Sequence, residues 1–317
     1  MPDAAAGMDR VIVSGADAGY QPLLASLHAS LIDRGLLRNA AFGVVDGGLA
    51  PAQRQAWADR GAIVADVNWG IDFPLRAAVD AGQPGMRVMA AKPQLPKLFP
   101  GFSTYLWIDA DAWVQSADAV ELLFACAASG RLAAVMEIDR AYRSYWSGME
   151  AWVRFRTWYA AAFDDRMGSR MAVRPMINTG VFALPATADL WGRWAALHRQ
   201  ILVNQQKHLL IAFLAEQLAL NVAVHLDGAP FVPLPSRCNW MCNLALPAWD
   251  RDQRLLCEPM PPHEPLGIVH LADQTKREAQ AVLDRARRPL RLHLTYPPRP
   301  ARSEGGQAGD GDPPDDR

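Results

Sequence analysis

An α/β fold with a mostly parallel central sheet flanked by helices is predicted by three observations. Short apolar runs alternate with helical stretches from Val11 onward, the pattern of β-α-β units. The runs are continuous rather than alternating, as in strands covered on both faces. One of them, Thr104-Tyr105-Leu106-Trp107-Ile108, ends in Asp109-Ala110-Asp111, which puts two carboxylates at the carboxyl end of a strand, where open α/β sheets bind ligands.

Val11-Ile12-Val13-Ser14 is the first buried strand, ended by Gly15-Ala16-Asp17-Ala18-Gly19. Leu23, Leu24, Leu27, Leu31 and Ile32 recur at helical spacing, so a helix is expected from Gln21 to Asp33. Ala41 to Val45 is a second strand, Pro51 to Arg60 a helix with proline in its first turn, and Ala62 to Ala65 a third strand. Right-handed crossovers join such units. Residues 68–84 read as irregular, and a helical segment through Met86, Met89 and Lys92 precedes the strand that delivers Asp109.

Beyond it, Ser116 is placed to cap a helix from Ala117 to Gly130, and Ala133 to Ile138 forms a strand. The segment from Arg140 to Arg174 breaks the pattern and is rich in aromatic residues. Ile177 to Leu184 returns to strand character, helices are expected at Leu190 to Leu202 and Ile211 to Leu220, and the Pro-rich stretch from Gly228 to Pro265 is expected to be irregular. These readings give a lead-in at 1–9, expected to be disordered, one domain over 10–296 and a disordered tail over 297–317. Within the domain, 10–115 and 116–296 are read as two halves.

Composition narrows the function classes. Half of the 317 residues are apolar and the formal net charge is −1, so a sizeable core is expected and a nucleic-acid footprint is not. Arg285, Arg287, Arg288 and Arg291 cluster near the C-terminus and read as a solvated helix face. Cys126, Cys238, Cys242 and Cys257 have neither paired metal-site spacing nor the density of a disulfide framework. With no secretory leader and no long apolar run, a cytoplasmic protein without an integral membrane segment is expected.

Two hard oxygen ligands at Asp109 and Asp111 suit Mg²⁺ or Mn²⁺ bridging to a diphosphate. The same residues could form a solvated turn. They could also serve a phosphohydrolase of the haloacid dehalogenase type with Asp109 as nucleophile. That family has Thr or Val two residues beyond the second Asp, near the start of the chain; here Trp113 follows a full βα-rich half. His270 ends the late apolar run Gly267-Ile268-Val269 and has Lys276 six residues on. An imidazole could complete the metal site, and an ammonium could neutralise a phosphate oxygen.

Four stretches in order resemble the nucleotide-sugar glycosyltransferases of the GT-A fold, nearest to glycosyltransferase family 8, and together they span most of Val11 to Lys276. Val11 to Tyr20 is similar to the family's first strand and turn, which implies donor binding by Asp17 and Tyr20. Tyr105 to Asp111 resembles the family's Asp-x-Asp element, implying that Asp109 and Asp111 hold Mn²⁺ against the donor diphosphate. Asn178-Thr179-Gly180-Val181 resembles the strand whose asparagine faces sugar and acceptor. His270 to Lys276 resembles its His-x-x-Gly-x-x-Lys element, making His270 a third metal ligand and Lys276 a phosphate contact.

Glu216-Gln217, ahead of Ala219-Leu220-Asn221, resembles the family's acidic residue and glutamine near the anomeric carbon; otherwise the pair is the exposed face of a helix. Lys92 falls where the family has a basic residue on the donor phosphate; otherwise it is a solvent lysine. Asp273 stands where the family has glycine, and Arg277-Glu278 replace its Pro-Trp. The resemblance implies transfer of a sugar from a nucleotide diphosphate, a UDP-sugar by default, to a glycan or other hydroxyl acceptor with retention. Because Gln217 is too weak a nucleophile and Glu216 is not known to face the sugar, a front-face mechanism with an ion-pair intermediate is the preferred hypothesis. A catalytically inactive nucleotide-binding protein of the same fold is the other alternative. Tyr142 to Tyr159 is either the acceptor platform or a pair of core helices.

Overall fold

The computed structural model describes residues 8–146 and 148–301. The expectations for the extreme chain ends fall largely on 1–7 and 302–317, outside the described residues. Residues 297–301, expected to belong to the disordered tail, instead reach an edge strand.

The first half follows the β-α-β order. Strand β1 (Arg10–Ala16) leads through α1 (Gln21–Asp33) to β2 (Ala41–Asp46), and α2 (Pro51–Asp59) leads to β3 (Ile63–Asp66). Three short helices, α3 (Arg76–Gly82), α4 (Arg87–Ala91) and α5 (Leu95–Leu98), precede β4 (Thr104–Ile108). Helix α3 lies inside the stretch expected to be irregular. Its Val79 is buried in one cluster with Trp69 and Phe73, apolar positions too widely spaced to show a period.

A three-residue strand absent from the sequence expectations, β5 (Ala112–Val114), follows the two carboxylates directly. Helix α6 (Ala117–Ala127) begins at Ser116, whose hydroxyl accepts from the Asp118 N–H, and β6 (Leu132–Met136) follows. The aromatic-rich segment forms α7 (Arg143–Trp146), α8 (Glu150–Ala162) and α9 (Asp165–Met171). Then come β7 (Ile177–Pro185), α10 (Leu190–Asn204), α11 (Leu209–His225) and β8 (Phe231–Leu234).

The last part is mainly short strands: β9 (Trp240–Met241), β10 (Ala248–Asp250), β11 (Leu255–Cys257), β12 (Ile268–His270), β13 (Gln280–Leu283), β14 (Pro289–His293) and β15 (Arg299–Pro300). The stretch from 228 to 265 is therefore less irregular than its prolines suggest. The C-terminal arginines sit on and beside the β13–β14 hairpin, not on a helix face. There Arg285 pairs with Asp250 at 2.6 Å and Arg288 with Asp284 at 2.8 Å.

Seven strands form the central sheet in the order β3-β2-β1-β4-β7-β6-β8. All run parallel except β7, which is antiparallel to both β4 and β6. Each face is covered, as the continuous apolar strands require. Val11, Tyr105 and Trp107 pack with Phe155, Trp194 and Leu218 from α8, α10 and α11. Ile12, Leu106 and Ile108 pack on the other face with Leu27, Trp57 and Leu123 from α1, α2 and α6. A third cluster gathers Trp113, Trp240, Leu266 and Val269 beneath the final strands. No helix among the described residues is long and apolar enough to cross a membrane.

Helices α8 and α9 cross at Gly168, where an added Cβ would lie 2.6 Å from the Arg156 carbonyl oxygen and 2.8 Å from the Ala160 Cβ. The neighbouring backbone cannot swing aside. Gly168→Ala should therefore destabilise the protein by about 1–3 kcal/mol through overpacking, read as a lower urea midpoint with an unchanged slope.

Candidate functional site

The site begins where β4 stops. The Asp109 N–H donates to the Gly180 carbonyl on β7 at 2.7 Å, which fixes the turn after Ile108 against the antiparallel neighbour. The Asp109 Oδ1 accepts from the Trp107 indole N–H at 2.6 Å and faces the Lys92 Nζ at 3.0 Å. Three residues on, β5 begins and pairs antiparallel with β12 so that His270 stands opposite Ala112. The Leu271 N–H then donates to the Asp111 carbonyl at 2.8 Å. This pairing carries a histidine from the far end of the chain to the carboxylates.

One donor atom from each of Asp109, Asp111 and His270 lies within 4.8 Å of the others. The His270 Nε2 is 3.4 Å from the Asp111 Oδ1, while its Nδ1 is 3.0 Å from the Asn239 Oδ1. With the ring neutral and Nδ1–H donated to Asn239, the Nε2 lone pair points at the carboxylates, as a metal ligand requires. Asn239 is itself oriented, because its amide N–H donates to the Asn178 Oδ1 at 2.9 Å. The donor set of two carboxylates and one imidazole fits a divalent cation.

Glycine at 180 is dictated by this arrangement: a Cβ there would sit 2.4 Å from the His270 Cε1. Asn178 lies beside it, accepting from the Gly180 N–H at 2.9 Å and donating to the Glu137 carboxylate at 3.0 Å.

A second cluster backs the first. Lys92 is only 1% exposed, so it is no solvent lysine. Its ammonium meets Asp109 at 3.0 Å, Glu216 at 3.1 Å and the Thr179 carbonyl at 3.1 Å. Burial disfavours the ammonium, but the two carboxylates outweigh it and raise its pKa. Glu216 is buried too, not on an exposed helix face; burial raises its pKa against the pull of Lys92 and of the Thr179 hydroxyl, which donates to it at 2.8 Å. Its Oε2 is buried without a hydrogen-bond partner. Next to it, the Gln217 Oε1 accepts from the Thr179 N–H at 3.1 Å.

Lys276 stands on the other side of Asp111, 2.8 Å from its Oδ2 and 2.8 Å from the Tyr20 hydroxyl. Burial alone would raise the Asp111 pKa, yet His270 and Lys276 together hold it far below the usual carboxylate range. Asp17 shapes the preceding turn, its Oδ1 accepting from the N–H groups of Gly19 and Tyr20 at 2.9 Å each. Asp273 holds the left-handed backbone conformation that glycine favours, with φ 54°. Its carboxylate accepts from the Asn243 amide at 3.3 Å.

Asp17, Tyr20, Lys92, Asp109, Asp111, Asn178, Glu216, Gln217, His270 and Lys276 all line one cleft of about 1000 Å³. Glu137 and Asn239 escaped the sequence reading. Glu137 had a usable signal, since it follows an apolar strand as Asp109 does; Asn239, in a Pro-rich stretch, had none. The aromatic segment divides: Tyr142, Phe155 and Tyr159 are core, whereas Trp158 and Arg154 line the cleft.

A mixed sheet with one reversed strand, carrying an Asp-x-Asp turn at its functional edge, is the architecture of the GT-A glycosyltransferases, and this chain has that fold. It is similar to the crystal structure of the galactosyltransferase LgtC in complex with donor and acceptor sugar analogues (TM-score 0.51, 18% identity, covering 83% of this chain and 87% of that one). An LgtC active-site mutant with glutamate in place of glutamine is similar at TM-score 0.52 and 17% identity, over the same 83% and 87% of the two chains. No protein-family model and no curated protein matches the chain.

Two tests follow from the electrostatics. Lys92→Met strands the buried Glu216 carboxylate and removes the partner of the part-buried Asp109, and should cost about 3–5 kcal/mol, measured by urea unfolding at pH 7.5, with Glu216→Gln in the same background recovering part of the loss. Burial lowers the His270 pKa, but Asp111 reverses this and leaves it raised above 6.5. A raised histidine stabilises fully below its unfolded pKa and loses that contribution as pH rises through its folded pKa. Metal-free protein in chelator should thus lose thermal stability as pH climbs from about neutrality, and His270→Gln should flatten the profile.

Proposed function

We propose that this protein is a metal-dependent glycosyltransferase that moves a sugar from a nucleotide diphosphate, a UDP-sugar by default, to an acceptor hydroxyl with retention of configuration. The observation that carries the reading is the convergence of Asp109, Asp111 and His270 with Lys276 and Tyr20 on one flank and Asn178, Glu216 and Gln217 on another, inside one cleft. The fold shared with a galactosyltransferase supports it. Two carboxylates and an imidazole suit Mn²⁺ better than Mg²⁺, which favours all-oxygen octahedra.

A bound divalent cation would neutralise charge on the departing diphosphate. The protein's own share begins with Lys276, whose ammonium is already placed beside Asp111 and can donate to a phosphate oxygen. Tyr20, 41% exposed at the cleft, offers a surface for the nucleotide, with Asp17 holding the turn that presents it. Lys92 acts from behind by fixing Asp109 and Glu216, so it positions the site rather than reaching the phosphate. Asn178 and Gln217 offer amide groups toward the sugar.

LgtC was crystallised as an active-site mutant with glutamate in place of glutamine, and a glutamine, Gln217, lines the cleft here. Its amide oxygen is engaged by Thr179, and the Glu216 Oε1 is engaged by Lys92 and Thr179. An amide is too weak a nucleophile, and the Glu216 carboxylate is buried and tied through one oxygen to Lys92 and Thr179, so front-face transfer is preferred to a covalent intermediate. Isolation of a glycosylated Glu216 peptide would overturn that part of the reading. Asp273 gives little support to an inactive relative, because its backbone takes the shape of the glycine it replaces and its carboxylate meets Asn243.

Thermal-shift titration with UDP, GDP and ADP, each with and without Mn²⁺, tests the proposal. One nucleotide should stabilise only with Mn²⁺, by about 2.7 kcal/mol at a hundred times its dissociation constant, and Asp111→Asn should lose the effect. Transfer by that variant should fall on the order of 10²-fold or more. Phosphate release from an aryl phosphate with no nucleotide response would favour the phosphohydrolase reading instead.

A further inference from the structure

The cleft is not polar throughout. Leu209, Leu210 and Phe213, at the start of α11, line it while 49%, 53% and 42% exposed, and the half-buried Leu214 and Trp158 line it with them. Large apolar side chains left open to solvent inside a functional cavity mark a surface that a ligand covers. Their placement follows the helix: Leu210, Phe213, Leu214 and Gln217 recur at i, i+3, i+4 and i+7, which is one face. That face runs from solvent at Leu210 to the polar cluster at Gln217, about 10 Å along the axis at roughly 1.5 Å per residue. Tyr20 and Lys276 flank Asp111, so the diphosphate reading assigns them to the donor; the α11 stripe is continuous with the cleft at Gln217, where the acceptor hydroxyl must come.

We propose that the acceptor carries an apolar group, an alkyl or aryl aglycone, which lies on Leu209, Leu210, Phe213 and Trp158 while its sugar hydroxyl reaches the cluster at Gln217. This rests on the glycosyltransferase reading of the cleft. The stripe selects acceptors by what lies behind the accepting sugar. A free polysaccharide end would leave Leu210 and Phe213 uncovered.

The test is calorimetric titration of methyl and n-octyl β-glycosides of glucose, galactose and N-acetylglucosamine, below micelle concentrations, into protein loaded with Mn²⁺ and the nucleotide that gave the thermal shift. At least one octyl glycoside should bind about tenfold or more tightly than its methyl partner. The double variant Leu210→Ser/Phe213→Ser, altered only at exposed positions, should bring the pair toward parity and keep the nucleotide shift. Parity in the intact protein, or binding by neither member of any pair, overturns the proposal. Flotation with phosphatidylcholine vesicles that depends on Phe213 and comes without octyl preference also overturns it, and assigns the stripe to membrane docking. A missing nucleotide shift in the intact protein instead brings down the glycosyltransferase reading itself.

Discussion

The buried ammonium of Lys92 is the constraint on which the candidate site depends. It joins elements that would otherwise repel or drift: the turn after β4 through Asp109, the strand β7 through the Thr179 carbonyl, and the helix α11 through Glu216. The Glu216 carboxylate cannot be brought into the interior, with the part-buried Asp109 beside it, without a compensating charge, and an ammonium cannot be buried without acceptors. Each group makes the burial of the others tolerable. The arrangement therefore fixes the first metal-ligand candidate from behind, leaving the cleft side of the turn to chemistry.

The second constraint is the pairing of β5 with β12. A strand of three residues has little stability of its own, but here it is held from both sides. Gln115 continues the contact, donating to the Leu256 and Leu266 carbonyls at 2.8 Å each, and Trp113 is buried with Trp240 and Val269. This places His270 beside Asp111 with its ring oriented by Asn239, and Asn239 by Asn178. The backbone thus sets where the imidazole is, and a chain of amides sets which nitrogen it offers. The glycine at 180 leaves room for the ring between them.

Helix α11 connects the polar and apolar parts of the cleft. Its second half is buried on nearly all sides, with Leu218, Ala219, Leu220, Asn221 and Val222 all inside, so it is a rigid part of the core. Its first turns bury Ile211 and Ala212 in the same core and expose Leu209, Leu210 and Phe213 on the cleft. One rigid helix consequently carries both the residues nearest the proposed reaction and the surface proposed to choose the acceptor. Preorganisation of this kind keeps the two in fixed relation.

The β-α-β half was legible in the chain alone, because buried parallel strands and amphipathic helices each carry a pattern that is readable locally. The sequence also marked Asp109 and Asp111, since a strand end in an open sheet is a place defined by the chain around it. The reversed strand β7 read as a strand, but its direction was invisible, because an apolar run looks the same in either sense. Lys92 and Glu216 were legible as residues and not as a pair. Their partners lie far away along the chain, and only the packed structure reveals that a lysine has lost its water. Asn239 and the short strand β5 left no trace, one for want of any pattern and the other because three residues cannot display a period. Local periodicity is written in the chain; desolvation, register and the meeting of distant charges exist only once it has folded.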